Sequence, residues 1–407
     1  MLNAYFDEKI ASFEEKLQKR SSARSKFALE VLRLGQRLYT ATRPLAWCGV
    51  CVPFDLLNAM GVTSCFAEFI GGMLSAAGVA APFLEGAEAA GFLADGCTWQ
   101  RAVIGAAEMG ILPRPDLVIA SSSPCSAGLA TAEHLARRFD CPLFVLHVPD
   151  EDSAADVDYL LQQFKEMTAF VAKHTGRALD QDRLRRAVLK SNATRQAAAA
   201  VYELAQRVPS PNNGTALKNF GLLLPLFLGT QTGVDLAEAY RAEFAGRWAR
   251  GQAGVPGERF RLMWLQEAIQ FKQPLINMLR EEYQAVIVVD ELNHIYWDPI
   301  DPEDPYPSLA RRAIAFPFNG PVAQRLEHIV KLARAYRVDG VINPCHWGCR
   351  QGTGSRGLVE AALKERDLPV VNLEVDCADA RNFAEGQLRT RLQAFMEVLE
   401  NRRGHGR

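Results

Sequence analysis

The spacing of hydrophobic residues changes along this chain, and each spacing predicts a different kind of structure. Residues 5–40 carry apolar side chains at helical intervals, such as Ile10, Phe13 and Leu17, on a strongly charged background. This pattern predicts an N-terminal helical arm that packs on a body or on a partner. From Pro44 onward, short apolar runs that end in turn residues alternate with helix-like stretches. Such alternation is typical of βαβ units and a mainly parallel sheet.

The pattern changes twice more towards the C-terminus. Residues 151–250 are rich in alanine, leucine and arginine and helical in period, which predicts a helical connector. A glycine-rich break at residues 250–257 follows, and strand-like runs then return. The strand-like runs of the whole chain are residues 45–52, 117–120, 143–146, 285–289, 338–343 and 370–375.

We therefore predict an α/β fold with two doubly wound parallel-sheet domains of the Rossmann or flavodoxin-like kind. The predicted parts are an arm (1–42), a first α/β domain (43–150), a helical connector (151–254) and a second α/β domain (255–407).

The bulk composition argues against several classes of partner. The chain has 407 residues, of which 48% are hydrophobic and 23% charged, with a net charge of −1. A near-neutral balance argues against a nucleic-acid footprint and against a basic membrane patch. No apolar run is long enough to cross a bilayer, and the first residues show no secretory signal. We expect a cytoplasmic protein that binds neither nucleic acid nor membrane.

The nine cysteines need an explanation, because disulfides are rare in a reducing cytosol. Buried thiols, a metal site or a nucleophile remain as explanations. We expect Cys65, Cys141 and Cys377 to be small core residues. Cys48 and Cys51 form a C-x-x-C pair inside a strand-like run, where the two side chains would point in poorly matched directions. We therefore do not expect that pair to chelate a metal.

Three other cysteines lie where α/β proteins place ligand-binding groups. Cys125 and Cys349 each come just past a strand-like run, and Cys97 comes just before a predicted helix. The carboxyl ends of parallel strands are where open α/β sheets bind their ligands. A helix N-terminus stabilises a thiolate, which suits a sulfur that binds iron. These three loops could therefore meet in one cleft.

Three thiolates suit a [4Fe–4S] cluster in which one iron has no cysteine ligand. Zinc is the competing metal, but closed zinc sites usually carry paired C-x-x-C units. By spacing alone, buried thiols remain the other interpretation.

Several segments together resemble one known family, the benzoyl-CoA reductase and 2-hydroxyacyl-CoA dehydratase family. The matching segments are residues 52–61, 96–97, 121–125, 346–351, 373–377 and 389–395. The resemblance implies that Cys97, Cys125 and Cys349 hold a [4Fe–4S] cluster. Asp55 stands where the family usually has Glu, and it is a further candidate for a role near the thioester. Cys345 could replace Cys349 as a ligand if the alignment is shifted.

The resemblance also implies partners and a substrate class. The chain would be one of two homologous iron–sulfur subunits in a heterodimer, acting on an acyl-CoA or aryl-CoA. Electrons at very low potential need an energy source, and this sequence has no G-x-x-x-x-G-K-[ST] phosphate loop. A separate ATP-hydrolysing activator would therefore supply them. Reductive dearomatisation, dehydration and a non-catalytic electron relay all stay open.

The remaining candidate residues are polar or aromatic groups near predicted strand ends. Glu291 and His294 could donate protons to a reduced substrate, or they could be loop and core residues. His346 could donate a hydrogen bond to a cluster sulfur, or simply pack. Arginines at positions 350, 389 and 391 are candidates for binding the CoA phosphates. The aromatic side chains Tyr296, Trp297, Phe316, Phe318 and Trp347 favour a flat apolar ligand, and so the reductase.

Overall fold

The computed structural model describes residues 2–19, 21–40 and 42–404, with side chains from residue 6 onward. Residues 1, 20, 41 and 405–407, which the predicted arm and second domain include, lie outside the described residues. The strands are β1 (Leu45–Cys48), β2 (Thr63–Phe66), β3 (Leu117–Ser121), β4 (Leu143–Leu146), β5 (Phe260–Trp264), β6 (Ala285–Asp290), β7 (Gly340–His346) and β8 (Val370–Val375).

Helices account for most of the remaining chain. In the N-terminal part they are α1 (Leu2–Lys19), α2 (Ala23–Tyr39), α3 (Phe54–Met60), α4 (Glu68–Ala76), α5 (Ala81–Ala89), α6 (Thr98–Glu108) and α7 (Ser126–Phe139). In the middle they are α8 (Ala154–Thr175), α9 (Gln181–Ala205), α10 (Phe220–Leu223) and α11 (Gln231–Ala249). In the C-terminal part they are α12 (Leu275–Tyr283), α13 (Pro305–Ile314), α14 (Val322–Ala335), α15 (Arg350–Thr353), α16 (Arg356–Lys364) and α17 (Glu385–Gly404).

The strands form two four-stranded sheets of the same topology. The first has the order β2-β1-β3-β4 and the second the order β6-β5-β7-β8, and all pairs are parallel. Most strands are continuous apolar runs because both faces of a parallel sheet are buried. The order matches the flavodoxin-like winding, whose strand order reverses between its first and third strands. The predicted α/β class with two doubly wound sheets is confirmed.

The second sheet shows how each face is covered. Val286 and Val288 of β6 point into the large core shared with the arm, the connector and the first sheet. Ile287 points the other way, into a second core with α12 and α17. Alternate residues of a strand face opposite sides, so one strand contributes to both cores.

The arm and the connector pack on each other. Phe27 of α2 contacts the rings of Phe220, Phe227 and Tyr240 at centroid distances of 5.6, 6.3 and 6.1 Å. The backbone N–H of Ala23 also donates to Glu243 of α11 at 2.6 Å. The arm is therefore part of the molecular body. The exact division into four parts stays a prediction.

Some local expectations were wrong. The strand-like run 45–52 ends as a strand at Cys48, so Cys51 lies in the turn beyond it. The strands β2 and β5 were not predicted. Arg261 interrupts the apolar run of β5, yet it is buried because it pairs with Glu258 and donates to the carbonyl of Tyr336 at 2.7 Å. In the described part of the chain, no helix is long and apolar enough to span a bilayer.

Candidate functional site

The three predicted cysteines each occupy the N-cap position of a helix. Cys97 precedes α6, Cys125 precedes α7 and Cys349 precedes α15. The sulfur of Cys125 accepts the N–H of Gly128 at 3.4 Å, and that of Cys349 accepts the N–H of Gly352 at 3.3 Å. Both are Cys-x-x-Gly sequences that follow the equivalent strands β3 and β7. The two halves of the molecule thus present a sulfur in the same way.

These cysteines line a single cavity of about 510 Å³ between the two sheets. The loops that carry them touch directly, because Gly348 has a φ of +75° and lies against the loop of Gly96 and Cys97. A Cβ atom at position 348 would lie 2.6 Å from the carbonyl of Gly96. Only glycine satisfies both the left-handed backbone and this contact. The predicted meeting of three loops is present.

The three thiols are poorly solvated. Burial raises the pKa of Cys97, Cys125 and Cys349, and nearby carboxylates raise it further; at Cys97 and Cys349 the other thiols of the cavity add to this effect. A thiolate is the form that binds metal, so a positive centre is needed to ionise the group. A multi-iron cluster would supply that charge. The donor set therefore suits a cluster.

A single metal ion suits the site less well. Among the described residues, no three His, Cys, Asp or Glu side chains lie close enough to hold one ion. Cys97, Cys125 and Cys349 instead line one cavity of about 510 Å³, which has room for a group wider than one zinc ion.

Two carboxyl groups that the sequence analysis missed face this cavity. Glu68 accepts from Gln100 at 2.8 Å through Oε1, while its Oε2 is buried without a partner among the described residues. Burial raises the pKa of Glu68. Glu267 places Oε1 at 4.0 Å from the sulfur of Cys349, and its Oε2 also lacks a described partner. One useful indication was available: Glu68 interrupts an apolar run just after a strand.

The rest of the cavity wall is mainly apolar. Side chains of the arm, the connector and both sheet regions contribute to it; they include Phe27, Val31, Phe66, Phe69, Phe316 and Phe318. The prediction that Phe316 and Phe318 line the site therefore agrees with their position. Tyr296 and Trp297 instead line a separate space of about 40 Å³, and Trp347 lines an outer cleft together with Cys345.

A second cavity of about 450 Å³ adjoins the first, and both share Arg24, Lys218, Asn219 and Gln270 as lining residues. Burial lowers the pKa of Lys218 to about 8. Asn219 and Gln270 bond to each other through both amides, at 2.7 and 3.0 Å. Polar groups are thus concentrated where the two cavities meet.

The other candidate catalytic residues, Asp55, Glu291 and His294, lie elsewhere. Asp55 is fully buried and pairs with Arg312 and Ser191. His294 packs against the rings of Tyr202, Tyr336 and His328.

Glu291 is held in a buried ion pair. It accepts from Arg325 at 2.6 and 2.9 Å and from the N–H of Gln266 at 3.0 Å. Neither it nor Asp55 nor His294 is among the described residues that line the cysteine cavity. The roles of Glu291 and His294 as proton donors, and of Asp55 near the thioester, stay predictions.

Of the three arginines considered for CoA, only Arg350 lines the cavity in the described structure. Arg389 lies on α17, where it pairs with Glu282, and Arg391 is exposed on the same helix.

His346 lies next to Cys97, with its Nε2 at 3.9 Å from the sulfur. The predicted contact between His346 and a sulfur is therefore geometrically available, but to Cys97 rather than to its neighbour Cys349.

A fold with two parallel sheets and a shared chamber lined by thiols is typical of an enzyme that acts on a buried ligand. The family model described as 2-hydroxyglutaryl-CoA dehydratase, D-component, matches residues 49–399, and the chain belongs to this family. The recognition made from the sequence is confirmed.

Several characterised relatives match most of the chain. The (R)-phenyllactyl-CoA dehydratase alpha subunit of Clostridium sporogenes is 23% identical over 91% of this chain and 92% of its own length. A benzoyl-CoA reductase subunit of Thauera aromatica is 24% identical over 86% of each chain. The alpha subunit of (R)-2-hydroxyglutaryl-CoA dehydratase of Acidaminococcus fermentans is 24% identical, over 71% of this chain and 61% of its own length. The chain is therefore a member of a family of enzymes that act on CoA thioesters, and its relatives are subunits of larger complexes.

Proposed function

We propose that this chain is the cluster-bearing subunit of an enzyme that delivers single electrons at low potential to a CoA thioester. Its reaction would be reductive dearomatisation of a benzoyl-CoA type substrate. The observation that carries this proposal is the single apolar cavity lined by Cys97, Cys125 and Cys349. Such a cavity is large enough to favour catalysis over a sealed electron relay.

Cys97, Cys125 and Cys349 would hold a [4Fe–4S] cluster and would leave one iron without a cysteine ligand. When bound, the cluster supplies one-electron transfer. The helix N-termini and the N–H groups of Gly128 and Gly352 stabilise negative charge on the sulfurs. They therefore help to keep the ligands ionised in a buried place.

Protons for the reduced substrate would come from Glu68. Burial favours the protonated form of a carboxyl group, and the pKa of Glu68 is raised in this way. Gln100 holds one oxygen of this group at 2.8 Å, the other oxygen has no described partner, and the side chain lines the cavity. A protonated carboxyl group held this way is oriented to donate.

The acyl group of the substrate would lie against the aromatic wall formed by Phe66, Phe69, Phe316 and Phe318. The polar CoA arm would follow the side where Arg24 and Lys218 lie, since cations attract the phosphates of CoA. Arg350 offers a further cation on the cavity wall. The aromatic ring of the substrate and its charged CoA part would thus bind at different parts of the cavity wall.

The proposal includes partners. A homologous iron–sulfur subunit would form a heterodimer with this chain, and an ATP-hydrolysing activator would deliver the electrons in the cytoplasm. The relatives from Clostridium sporogenes and Thauera aromatica are each named as one subunit of an enzyme, which supports an assembly of several chains.

The first test is the metal content of anaerobically purified protein, where we expect about four irons and four sulfides per chain. Cys349→Ser should remove most of this iron. The matched control is Cys345→Ser, because Cys345 bonds to Asn343 and Asn372 and lines only the outer cleft. Full activity in iron-free or zinc-loaded protein would contradict the proposal.

The second test is the reaction itself. The anaerobic complex is supplied with benzoyl-CoA and with a 2-hydroxyacyl-CoA in parallel, and products are measured. We expect ring reduction of benzoyl-CoA. If only the hydroxyacyl substrate is turned over, the reaction of this enzyme is dehydration and not ring reduction.

Dehydration of a 2-hydroxyacyl-CoA is the second candidate function. The matching family model and the relative from Clostridium sporogenes both carry dehydratase names, which favours it. The phenyl group in the name of that relative is compatible with the same aromatic cavity wall.

A further inference from the structure

We propose that His346 is a positioning residue whose Nε2–H donates a hydrogen bond to the sulfur of Cys97, and so raises the reduction potential of the bound cluster. This inference rests on the proposed function, because it concerns the cluster at Cys97. The imidazole is fully buried, and its Nε2 lies 3.9 Å from the sulfur.

The direction of this hydrogen bond is fixed by the other ring nitrogen. Nδ1 of His346 accepts the backbone N–H of Cys377 at 3.0 Å. A nitrogen that accepts a hydrogen bond carries no proton, so the neutral ring bears its proton on Nε2. Asp376 lies 3.6 Å from Nδ1, too far for a hydrogen bond, and its oxygens already accept from Ala378 and Thr98. The proton on Nε2 therefore points at Cys97.

Cys97 differs from the other two cysteines because a side chain of the opposite half of the molecule lies within reach of its sulfur. Cys125 and Cys349 each accept an N–H from the glycine three residues on, whereas Cys97 caps α6 without such a bond. The backbone N–H groups of Gln100 and Trp99 also interact with the sulfur of Cys97, and His346 adds a side-chain donor to it. Each of the three sulfurs thus has a donor, and one donor comes from the opposite half of the molecule.

The same half of the molecule also holds the loop of Cys97 in place. Asp376 accepts from the hydroxyl of Thr98, the residue after Cys97, at 2.5 Å. Gly348 packs directly on the backbone of Gly96 and Cys97. The donor and the acceptor are therefore fixed relative to each other, and the contact does not depend on a mobile side chain.

The effect on potential follows from charge. One electron enters the cluster on reduction, the negative charge on the sulfurs increases, and the N–H proton stays on the imidazole. A donor therefore stabilises the reduced form more than the oxidised form. Loss of this donor should make reduction harder.

The experiment compares His346→Phe, which cannot donate, with His346→Gln, whose amide can. Midpoint potentials are measured by redox titration followed by electron paramagnetic resonance on protein with its cluster. We expect a more negative potential in His346→Phe and partial recovery in His346→Gln. The control is His134→Phe, which replaces a histidine that bonds to Glu108 away from the cavity and should leave the potential unchanged.

Iron content and thermal unfolding of every variant separate a change of potential from a loss of fold. If His346→Phe does not retain iron, the decision rests on the tautomer of His346, measured by NMR as described below. An unchanged potential in iron-loaded His346→Phe would overturn the inference.

A second measurement does not need the cluster. Nitrogen-15 NMR of the iron-free chain should show His346 as the Nε2–H tautomer, and an Nδ1–H tautomer would overturn the hydrogen bond. If the wild-type chain takes up no iron, the proposed function and the effect on potential fail together. In that case the NMR result still decides whether His346 donates to Cys97.

Discussion

Two carboxyl groups follow equivalent strands of the two sheets, and their surroundings differ completely. Glu68 follows β2, the edge strand beside β1, and Glu291 follows β6, the edge strand beside β5. Glu291 is neutralised by Arg325 and held by three hydrogen bonds. Glu68 has no cation beside it in the described structure: one oxygen accepts from the amide of Gln100, and the other is buried without a described partner.

The comparison shows that position in the topology does not decide the chemistry of a side chain. An arginine partner keeps a buried carboxylate ionised, whereas burial without a cation favours the protonated acid. A proton donor must be protonated and accessible to the substrate. Glu68 lines the cavity and burial raises its pKa, so it is the better candidate for this role, whereas Glu291 is ion-paired with Arg325 and does not line the cavity.

The sharpest test of this contrast is the pair Glu68→Gln and Glu291→Gln. We expect Glu68→Gln to lower turnover by about 10²–10⁴-fold with full iron content, because general acid catalysis contributes that much. Glu291→Gln should leave turnover per folded molecule close to that of the wild type. Turnover and iron are measured on the same samples; the opposite order of effects would reverse the assignment.

The next largest effect concerns stability. Glu291→Ala leaves Arg325 as a buried cation without its partner, so the free energy of unfolding should fall by roughly 3–5 kcal/mol. Denaturant unfolding measures it. The matched control is Glu303→Ala, since Glu303 forms an exposed pair with Arg185 and should cost less than about 1 kcal/mol. Equal losses of unfolding free energy in the two variants would show that the buried ion pair contributes no more to stability than the exposed pair.

A third test concerns the contact between the two halves. Gly348→Ala places a side chain where φ is +75° and where the loop of Gly96 leaves no room. We expect a loss of stability of about 1–3 kcal/mol from the strained backbone, with a lower iron content. Gly357→Ala, at a helical site with open space around it, is the control and should be neutral or slightly stabilising.

The last test concerns the dependence of stability on pH. Burial lowers the pKa of His294 to about 3, so the native state holds this ring neutral. The stability that it contributes is present above its unfolded pKa and is lost as the pH falls from about 6.5 towards 3, by up to about 1.4 kcal/mol per pH unit.

His294→Phe should therefore flatten the fall of unfolding free energy between pH 6.5 and pH 4. Replacement of the exposed His174 by Asn provides the comparison and should leave the slope unchanged. A slope in His294→Phe equal to that of the wild type would show that the ring does not control acid stability.

The fold and the convergence of the cysteines could be predicted because both depend on local patterns. Strand ends in a parallel sheet share one edge, so Cys125 and Cys349 could be placed from their positions after apolar runs. The partner of a carboxylate cannot be found in this way. Arg325 lies 34 residues from Glu291 in sequence, and nothing near Glu291 indicates it. For the same reason, the sequence analysis selected Glu291 and His294 and missed Glu68 and Glu267.

The packing of the arm has a thermodynamic consequence. Phe27 and Val31 of α2 line the cavity, and the same helix packs on the connector. A ligand that fills the cavity therefore binds only the state in which α2 is docked, and it stabilises that state by RT ln(1 + [L]/Kd). Binding of a ligand in the cavity should therefore hold the N-terminal arm in its docked position. Slower amide hydrogen exchange in α2 would then show that the substrate is bound.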